Sequence, residues 1–258
     1  MRKGAIPSRH HIPKTRIIVL RQPQNCPDTM AKTILVTGAY GNLGRAVVKA
    51  ALLAGYQVFG TAAPGEMIPE GFPSGDVDMR TVDLLDEAAT SALIRDLVSR
   101  GGIEAAVFTV GGFAMGDIAS TTSADLLEQY RLNVETLYHA ARPVFLDMKN
   151  KGRGRLFLIG ARPATDMRMA RGMTAYGLSK SLVFRLAELM NAEAAGTDVV
   201  TSVVVPSTLD TPRNRAAMPD ADPSAWVKPE DIASVILFHC SPAAGSLRET
   251  VIKMYGRG

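Results

Sequence analysis

Cysteine is scarce. Cys26 and Cys240 are the only two in 258 residues. Their spacing makes neither a metal knuckle nor a disulfide framework, so a reducing compartment, the cytoplasm, is the simplest expectation. Long apolar runs are missing too. No stretch reaches the roughly 18 residues that a membrane-crossing helix needs, and no membrane partner is expected. An excess of one charge is missing from most of the chain. The net charge is +4, but residues 1–29 hold Arg2, Lys3, Arg9, Lys14, Arg16 and Arg21 against Asp28 alone, a net of +5. The rest therefore sums to −1 and shows no nucleic-acid footprint.

The basic leader also holds Pro7, Pro13, Pro23 and Pro27. Prolines oppose a continuous amphipathic helix. Residues 1–30 therefore read as a flexible basic extension ahead of, or spurious to, a start at Met30; a transit peptide is the other reading. Residues 31–258 read as one domain. Hydrophobic content of 47% and charged content of 21% suit a chain that buries a full core.

From Lys32 onward, strand and helix patterns alternate. Strands are expected at Thr33–Thr37, Tyr56–Thr61, Met79–Val82, Glu104–Val110, Arg155–Ile159, Val199–Val205 and Glu249–Lys253. Helices are expected at Asn42–Ala54, Glu87–Ser99, Ser123–Asn150 with an interruption at Pro143, Thr174–Ala195 and Pro229–His239. In the first helix, Leu43, Val47, Ala50, Ala51 and Ala54 form one apolar stripe. This order predicts an α/β fold: a single Rossmann-like, doubly wound parallel sheet with helices on both faces. Ligands then bind at the carboxyl ends of the strands.

Gly38, Gly41 and Gly44 recur every third residue between the first strand and first helix, within Gly38-Ala39-Tyr40-Gly41-Asn42-Leu43-Gly44. Such a turn admits a pyrophosphate to the free N–H groups of a helix N-terminus. The second strand ends Gly60-Thr61-Ala62-Ala63-Pro64 without an acid, and Glu66 lies past the proline. An acid there would accept from a ribose 2′-hydroxyl and repel a 2′-phosphate. Its absence removes the argument for strict NADH use, and without an Arg or Lys the balance leans only slightly to NADPH. Asp83-Leu84 ends the third strand, as an adenine contact or as a helix cap or loop residue.

Tyr176-Gly177-Leu178-Ser179-Lys180 opens a striped helix. Spacing of i and i+4 puts Tyr176 and Lys180 on one face. A cation near the phenol is expected to lower its pKa from about 10 and fit it for proton exchange.

These segments resemble the short-chain dehydrogenase/reductases over about residues 32–256, through the glycine turn, Asp83, Gly111-Gly112, Asn133, Tyr176, Lys180 and Pro206. Within that group the chain is most similar to the quinonoid dihydropteridine reductases. That closer likeness rests on Gly111-Gly112-Phe113-Ala114, Gly160-Ala161-Arg162-Pro163-Ala164 and Pro206-Ser207-Thr208-Leu209-Asp210-Thr211-Pro212-Arg213-Asn214-Arg215. The resemblance implies catalytic roles for Tyr176, Lys180 and Asn133. It implies dinucleotide contacts from Gly38, Tyr40, Gly41, Asn42, Leu43, Gly44, Asp83, Leu84, Gly111, Gly112, Tyr176, Lys180, Pro206 and Thr208. Phe113, Ala161 and Met173 would face the substrate, and Met167 and Met169 would add an adaptable lid. Most family members end the fifth strand in a Ser that binds the substrate carbonyl. Here that strand runs into Gly160-Ala161, a departure the pterin reductases share, and Thr165 is a remote substitute. The implied activity is NAD(P)H-dependent reduction of a quinonoid dihydropterin by a homodimer formed through the two long helices. Other activated acceptors (quinone, imine, carbonyl) or a non-catalytic NADP(H)-binding regulator are the alternatives.

Overall fold

The computed structural model describes Met1 and residues 32–257. The expected extension over residues 1–30 therefore lies, apart from Met1, outside the described residues. The chain runs β1 (Thr33–Thr37), α1 (Asn42–Leu53), β2 (Gln57–Ala62), β3 (Val77–Thr81), α2 (Glu87–Ser99), β4 (Ala105–Phe108), α3 (Ser123–Tyr130) and α4 (Thr136–Lys151). It continues through β5 (Arg153–Ile159), α5 (Thr174–Glu193), β6 (Asp198–Pro206), α6 (Pro212–Ala217), α7 (Pro229–His239) and β7 (Val251–Met254).

Among the described residues, seven strands pair in parallel, in the order β3-β2-β1-β4-β5-β6-β7. Side chains alternate across a strand, and this alternation divides the core in two. Leu35, Ala106, Phe108, Leu156 and Leu158 meet apolar residues of α2, α4 and α5 on one face. Ile34, Val36, Ala105, Val107 and Phe157 meet α1 and α7 on the other. Both faces are thus covered, as near-continuous apolar strands require. The strand order reverses between β1 and β4, where Thr37 pairs with Phe108. A doubly wound sheet opens its ligand crevice at that point.

Local chemistry sets the helix ends. Asp86 accepts from Ala89 N–H and caps α2. Thr122 and Asp125 form a reciprocal capping box on α3. Gly152, in the left-handed region at φ +73°, closes α4.

Three expectations are corrected. Pro143 does not interrupt the long helix; α4 runs through it. The irregularity falls earlier, at a π-turn over Arg131–Glu135, where Thr136 N–H reaches back to Arg131 O. An inserted residue is absorbed there, where the Asn133 side chain bonds to the Gly112 loop and to α5 as well as to Gln129. β4 stops at Phe108, short of Val110, because the Thr109 hydroxyl donates to Thr37 O at 2.7 Å and replaces a ladder bond with a side-chain one. β7 starts at Val251 instead of Glu249, whose carboxylate accepts from Val251 N–H at 2.9 Å.

Candidate active site

The carboxyl ends of β1, β4, β5 and β6 gather most of the residues singled out from sequence. Gly38 follows β1 at φ +64°, a conformation that side chains avoid, and a Cβ there would press on Val110 and Thr109. Gly41 N–H donates to Gly38 O at 3.0 Å and closes the turn. A Cβ on Gly44 would collide with the Gly38 carbonyl oxygen. The third glycine therefore lets α1 sit directly on the strand end. Gly41 caps α1 without a side-chain bond, and no acid lies in the first turn. The first N–H groups of the helix lack intrahelical acceptors by geometry and face outward with a positive dipole end. This corner suits a pyrophosphate.

Four elements converge below the β4 end. Gly112 N–H donates to Asn133 Oδ1 at 3.0 Å, and Asn133 Nδ2 returns a bond to Gly112 O at 3.1 Å. Asn133 is 1% exposed. Its amide also reaches Gln129 Oε1 at 3.2 Å and Ser179 Oγ at 3.0 Å. The π-turn, the glycine pair and α5 are thus joined through one side chain. Lys180, 6% exposed, donates from Nζ to Ile159 O at 2.9 Å, the last carbonyl of β5. A Cβ on Gly111 would lie 2.7 Å from Asn133 Oδ1 and 3.1 Å from Lys180 Nζ, so glycine is what keeps this passage open.

Tyr176 is half-buried at the mouth of the same cluster, with the Phe113 ring edge-on to it at 5.0 Å between centroids. Burial pushes the Tyr176 phenol up to about 12. Burial also pulls the Lys180 ammonium down to about 8. The expected lowering of the Tyr176 pKa is therefore corrected. Loss of water around the phenol outweighs any cation effect, and the Lys180 ammonium is turned to a carbonyl instead.

A sequence model described as short chain dehydrogenase matches residues 32–222. The chain belongs to this family. It is accordingly an NAD(P)-dependent oxidoreductase. The chain is 25% identical to an acetoacetyl-CoA reductase of Acinetobacter over 80% of its own length and 89% of the relative's. It is 28% identical to a dihydropteridine reductase of Dictyostelium discoideum, over 79% and 85% of the two chains. A Burkholderia thailandensis oxidoreductase of the short chain dehydrogenase/reductase family superposes with a TM-score of 0.77 at 25% identity, covering 88% of this chain and 92% of that one.

Other residues singled out from sequence fall around this short chain dehydrogenase centre. Tyr40 meets the Phe72 ring edge-on at 5.1 Å, and Asn42 Oδ1 accepts from Arg45 at 3.0 Å. Leu43 is buried in the core beneath α1. Pro206 ends β6 in a buried position, and Thr208 offers its carbonyl to Val227 N–H. Asp83 is not the cap of α2, a role Asp86 takes; its carboxylate accepts from Leu85 N–H at 2.9 Å in an exposed turn. Leu84 is a core residue, and its carbonyl is held by the His139 ring at 2.9 Å.

Among the residues expected to face the substrate, Ala161 is 4% exposed and follows β5 without a hydroxyl. Thr165 does not replace it: the residue is exposed and its hydroxyl donates to Arg162 O. Phe113 is 56% exposed and so lies outside the core, edge-on to Tyr176. Met173 precedes α5 and bridges to Gly116, with Gly116 N–H donating to Gly172 O at 2.8 Å. Met167 and Met169 are exposed on the same loop. Sequence reasoning missed Gln129 and Ser179, the buried partners of Asn133. The Gln129–Asn133 spacing of i, i+4 was the available signal; Ser179 had none, because it meets Asn133 only through the tertiary fold.

Proposed function

We propose that this protein reduces an electron-poor planar ring, a quinonoid dihydropterin first among candidates, with NAD(P)H. The observation that carries the reading is the buried Ala161 just past β5, where no hydroxyl is present. A ketone reductase gains from a hydroxyl that stabilises the developing alkoxide, and removing such a donor costs about 2.7–4 kcal/mol. A quinonoid ring is already polarised and forgoes it. The exposed Phe113 supports the same reading, since it offers an aromatic face next to the acid. The likeness to a dihydropteridine reductase at 28% identity agrees.

The Gly38–Gly44 turn would hold the pyrophosphate, and Lys180 the ribose hydroxyls next to the nicotinamide. The bound nicotinamide supplies a hydride. Tyr176 supplies the matching proton, so the acceptor ring gains two electrons and two hydrogens. A phenol held near 12 is fully protonated at neutral pH, the form a proton donor requires. After transfer the phenolate draws its proton back from solvent. Asn133 fixes Gly112 and the start of α5. General acid catalysis of this kind contributes about 10²–10⁴-fold.

The reading includes a homodimer. Leu127, Tyr130, Tyr138 and Leu146 are exposed along α3 and α4, and Leu178, Leu182 and Leu189 along α5. Apolar stripes of this size on adjacent helices favour a self-complementary contact. Light scattering of the purified chain is expected to give twice the chain mass.

The test is initial-rate oxidation of NADH and NADPH with chemically generated quinonoid dihydropterin. Rapid turnover that Tyr176→Phe reduces by about 10²-fold or more supports the proposal. Dinucleotide binding without turnover on this acceptor would count against the pterin and turn the search to quinones and imines.

A further inference from the structure

Helix α5 begins without a cap of its own. Met173 stands at its N-cap, and no side chain there accepts a hydrogen bond. The first N–H groups of a helix need acceptors, which an apolar side chain cannot supply. One of them finds its acceptor on another element. Thr174 N–H, the first of α5, donates to Gly116 O at 2.8 Å, and Gly116 N–H donates to Gly172 O at 2.8 Å. Gly116 is thus bonded on both sides of Met173, as a parallel bridge. Met173 O in turn accepts from Gly177 N–H at 2.7 Å. Tyr176 lies within that turn.

Gly116 is held within its own loop as well. Thr121 donates to Asp117 O through its N–H at 3.0 Å and its hydroxyl at 2.6 Å, and the Asp117 carboxylate accepts from Ser120 N–H at 2.9 Å. A Cβ on Gly116 would lie 2.9 Å from Thr121 Oγ1, so glycine lets this closed turn pack there. In the other direction Gly112 is clasped by Asn133. Only Phe113, Ala114 and Met115 separate the two anchors, and Phe113 is the residue that meets the Tyr176 ring. Residues 112–116 are therefore a strap beside the proton donor. One end is tied to the π-turn and the other to the helix that carries Tyr176.

We propose that Gly116 is a positioning residue for Tyr176: its peptide group supplies the cap that α5 lacks, and so sets the first turn of the helix and the placement of the phenol against Phe113. The inference rests on Tyr176 as the proton donor of the reading above. Gly172 is the other half of the bridge. Its backbone is left-handed, at φ +76°, and a Cβ there would meet nothing closer than Met115 Cε at 3.9 Å. A side chain at 172 has room, so its backbone preference is what matters. Asn tolerates the left-handed region, whereas a β-branched residue is an outlier in it.

The experiment compares Gly172→Val with the conservative Gly172→Asn in the full chain. It reads hydrogen exchange of single amides, and steady-state kinetics with chemically generated quinonoid dihydropterin. Val, and not Asn, is expected to speed exchange of the Gly116, Thr174 and Gly177 amides about tenfold or more. In Val alone kcat should fall about tenfold to 10²-fold, as a misplaced donor requires. The dinucleotide Kd should stay within about twofold, since the glycine turn is untouched; a general loss of structure would move it too. Thr174→Pro is the second variant, and it decides the matter if Gly172→Val does not fold. It deletes the donor at a first helical position, where proline is accepted, and should lower kcat and speed exchange at Gly177 in the same way. A Gly177 amide that keeps its protection in Thr174→Pro, or a kcat that neither Val nor Pro lowers, overturns the inference. An equal fall of kcat in Val and Asn also overturns it, because any side chain at 172 would then be the cause. If the wild type does not turn over the pterin, the pterin reading fails, and exchange at Gly177 still decides this inference.

Discussion

Asn133 and Gly112 hold each other by two opposed hydrogen bonds, amide oxygen to N–H at 3.0 Å and amide nitrogen to carbonyl at 3.1 Å. The pair couples a π-turn in the helical layer to the loop that leaves the central strand. An asparagine is suited to this because its side chain presents a donor and an acceptor side by side, as a peptide group does. Asn133→Ala should cost about 2 kcal/mol, since it also strips Gln129 and Ser179 of a buried partner. Urea unfolding checks this. The same variant should lower kcat more than it raises the dinucleotide Kd, because it loosens the seat of Lys180 and Tyr176 without touching the glycine turn.

Phe113 meets Tyr176 edge-on and is otherwise open to solvent. An aromatic pair of this kind contributes about 0.5–1.5 kcal/mol. Phe113→Ala is expected to reduce kcat/KM for a flat ring acceptor about threefold to tenfold and to lower the unfolding free energy by no more than about 1.5 kcal/mol. A large loss of stability would instead make Phe113 a core residue.

Ala161→Ser restores a hydroxyl just past the end of β5, at a buried position. Turnover of a small activated ketone should rise about tenfold or more, toward the 10²–10³ that a lost oxyanion donor costs elsewhere. Turnover of a quinonoid ring should not rise. Equal gains on both would remove the basis for preferring the ring.

Lys180 makes stability depend on pH in a particular direction. Burial lowers its pKa from 10.5 to about 8. Between these values the unfolded chain holds the proton and the folded chain has released it. Stability from this group therefore rises with pH from about 8 to 10.5, by about 3 kcal/mol in all. Cys240, Tyr56 and Tyr176 are each raised to about 12 by burial and act oppositely above pH 9 and 10, as their unfolded forms ionise first. The clean window is pH 8 to 9. There the unfolding free energy of the wild type should gain on that of Lys180→Met as pH rises. A flat or falling difference would show that Lys180 keeps its charge when buried.

Much of this molecule is legible in one dimension. The alternation of β-rich runs with striped helices is a local property. Thr33–Thr37, Glu87–Ser99 and Pro229–His239 form as read because each segment carries its own period and its own stop. Gly38, Gly41 and Gly44 announce a turn because backbone that approaches so closely tolerates no Cβ. Tyr176 and Lys180 share a face because the helix has 3.6 residues per turn.

Other features depend on what lies across the fold, and the sequence is silent on them. The long helix passes Pro143 and yields at Asn133, since a missing N–H is tolerated where packing holds the helix, and an inserted residue is absorbed where a side chain finds partners on α5 and the Gly112 loop. The Tyr176 phenol rises where a lysine four residues away suggested a fall, because desolvation is set by the surrounding walls. Glu66 lies beyond a proline in the chain and beside Ala63 in space, because a turn reverses direction. By itself, then, the sequence determined the sheet, its helices and the glycine turn, all products of short-range periodicity and steric exclusion. The tertiary structure alone decided which buried groups are paired, which are stripped of water, and where the returning loop puts its charge, because those depend on contacts between residues far apart in the chain.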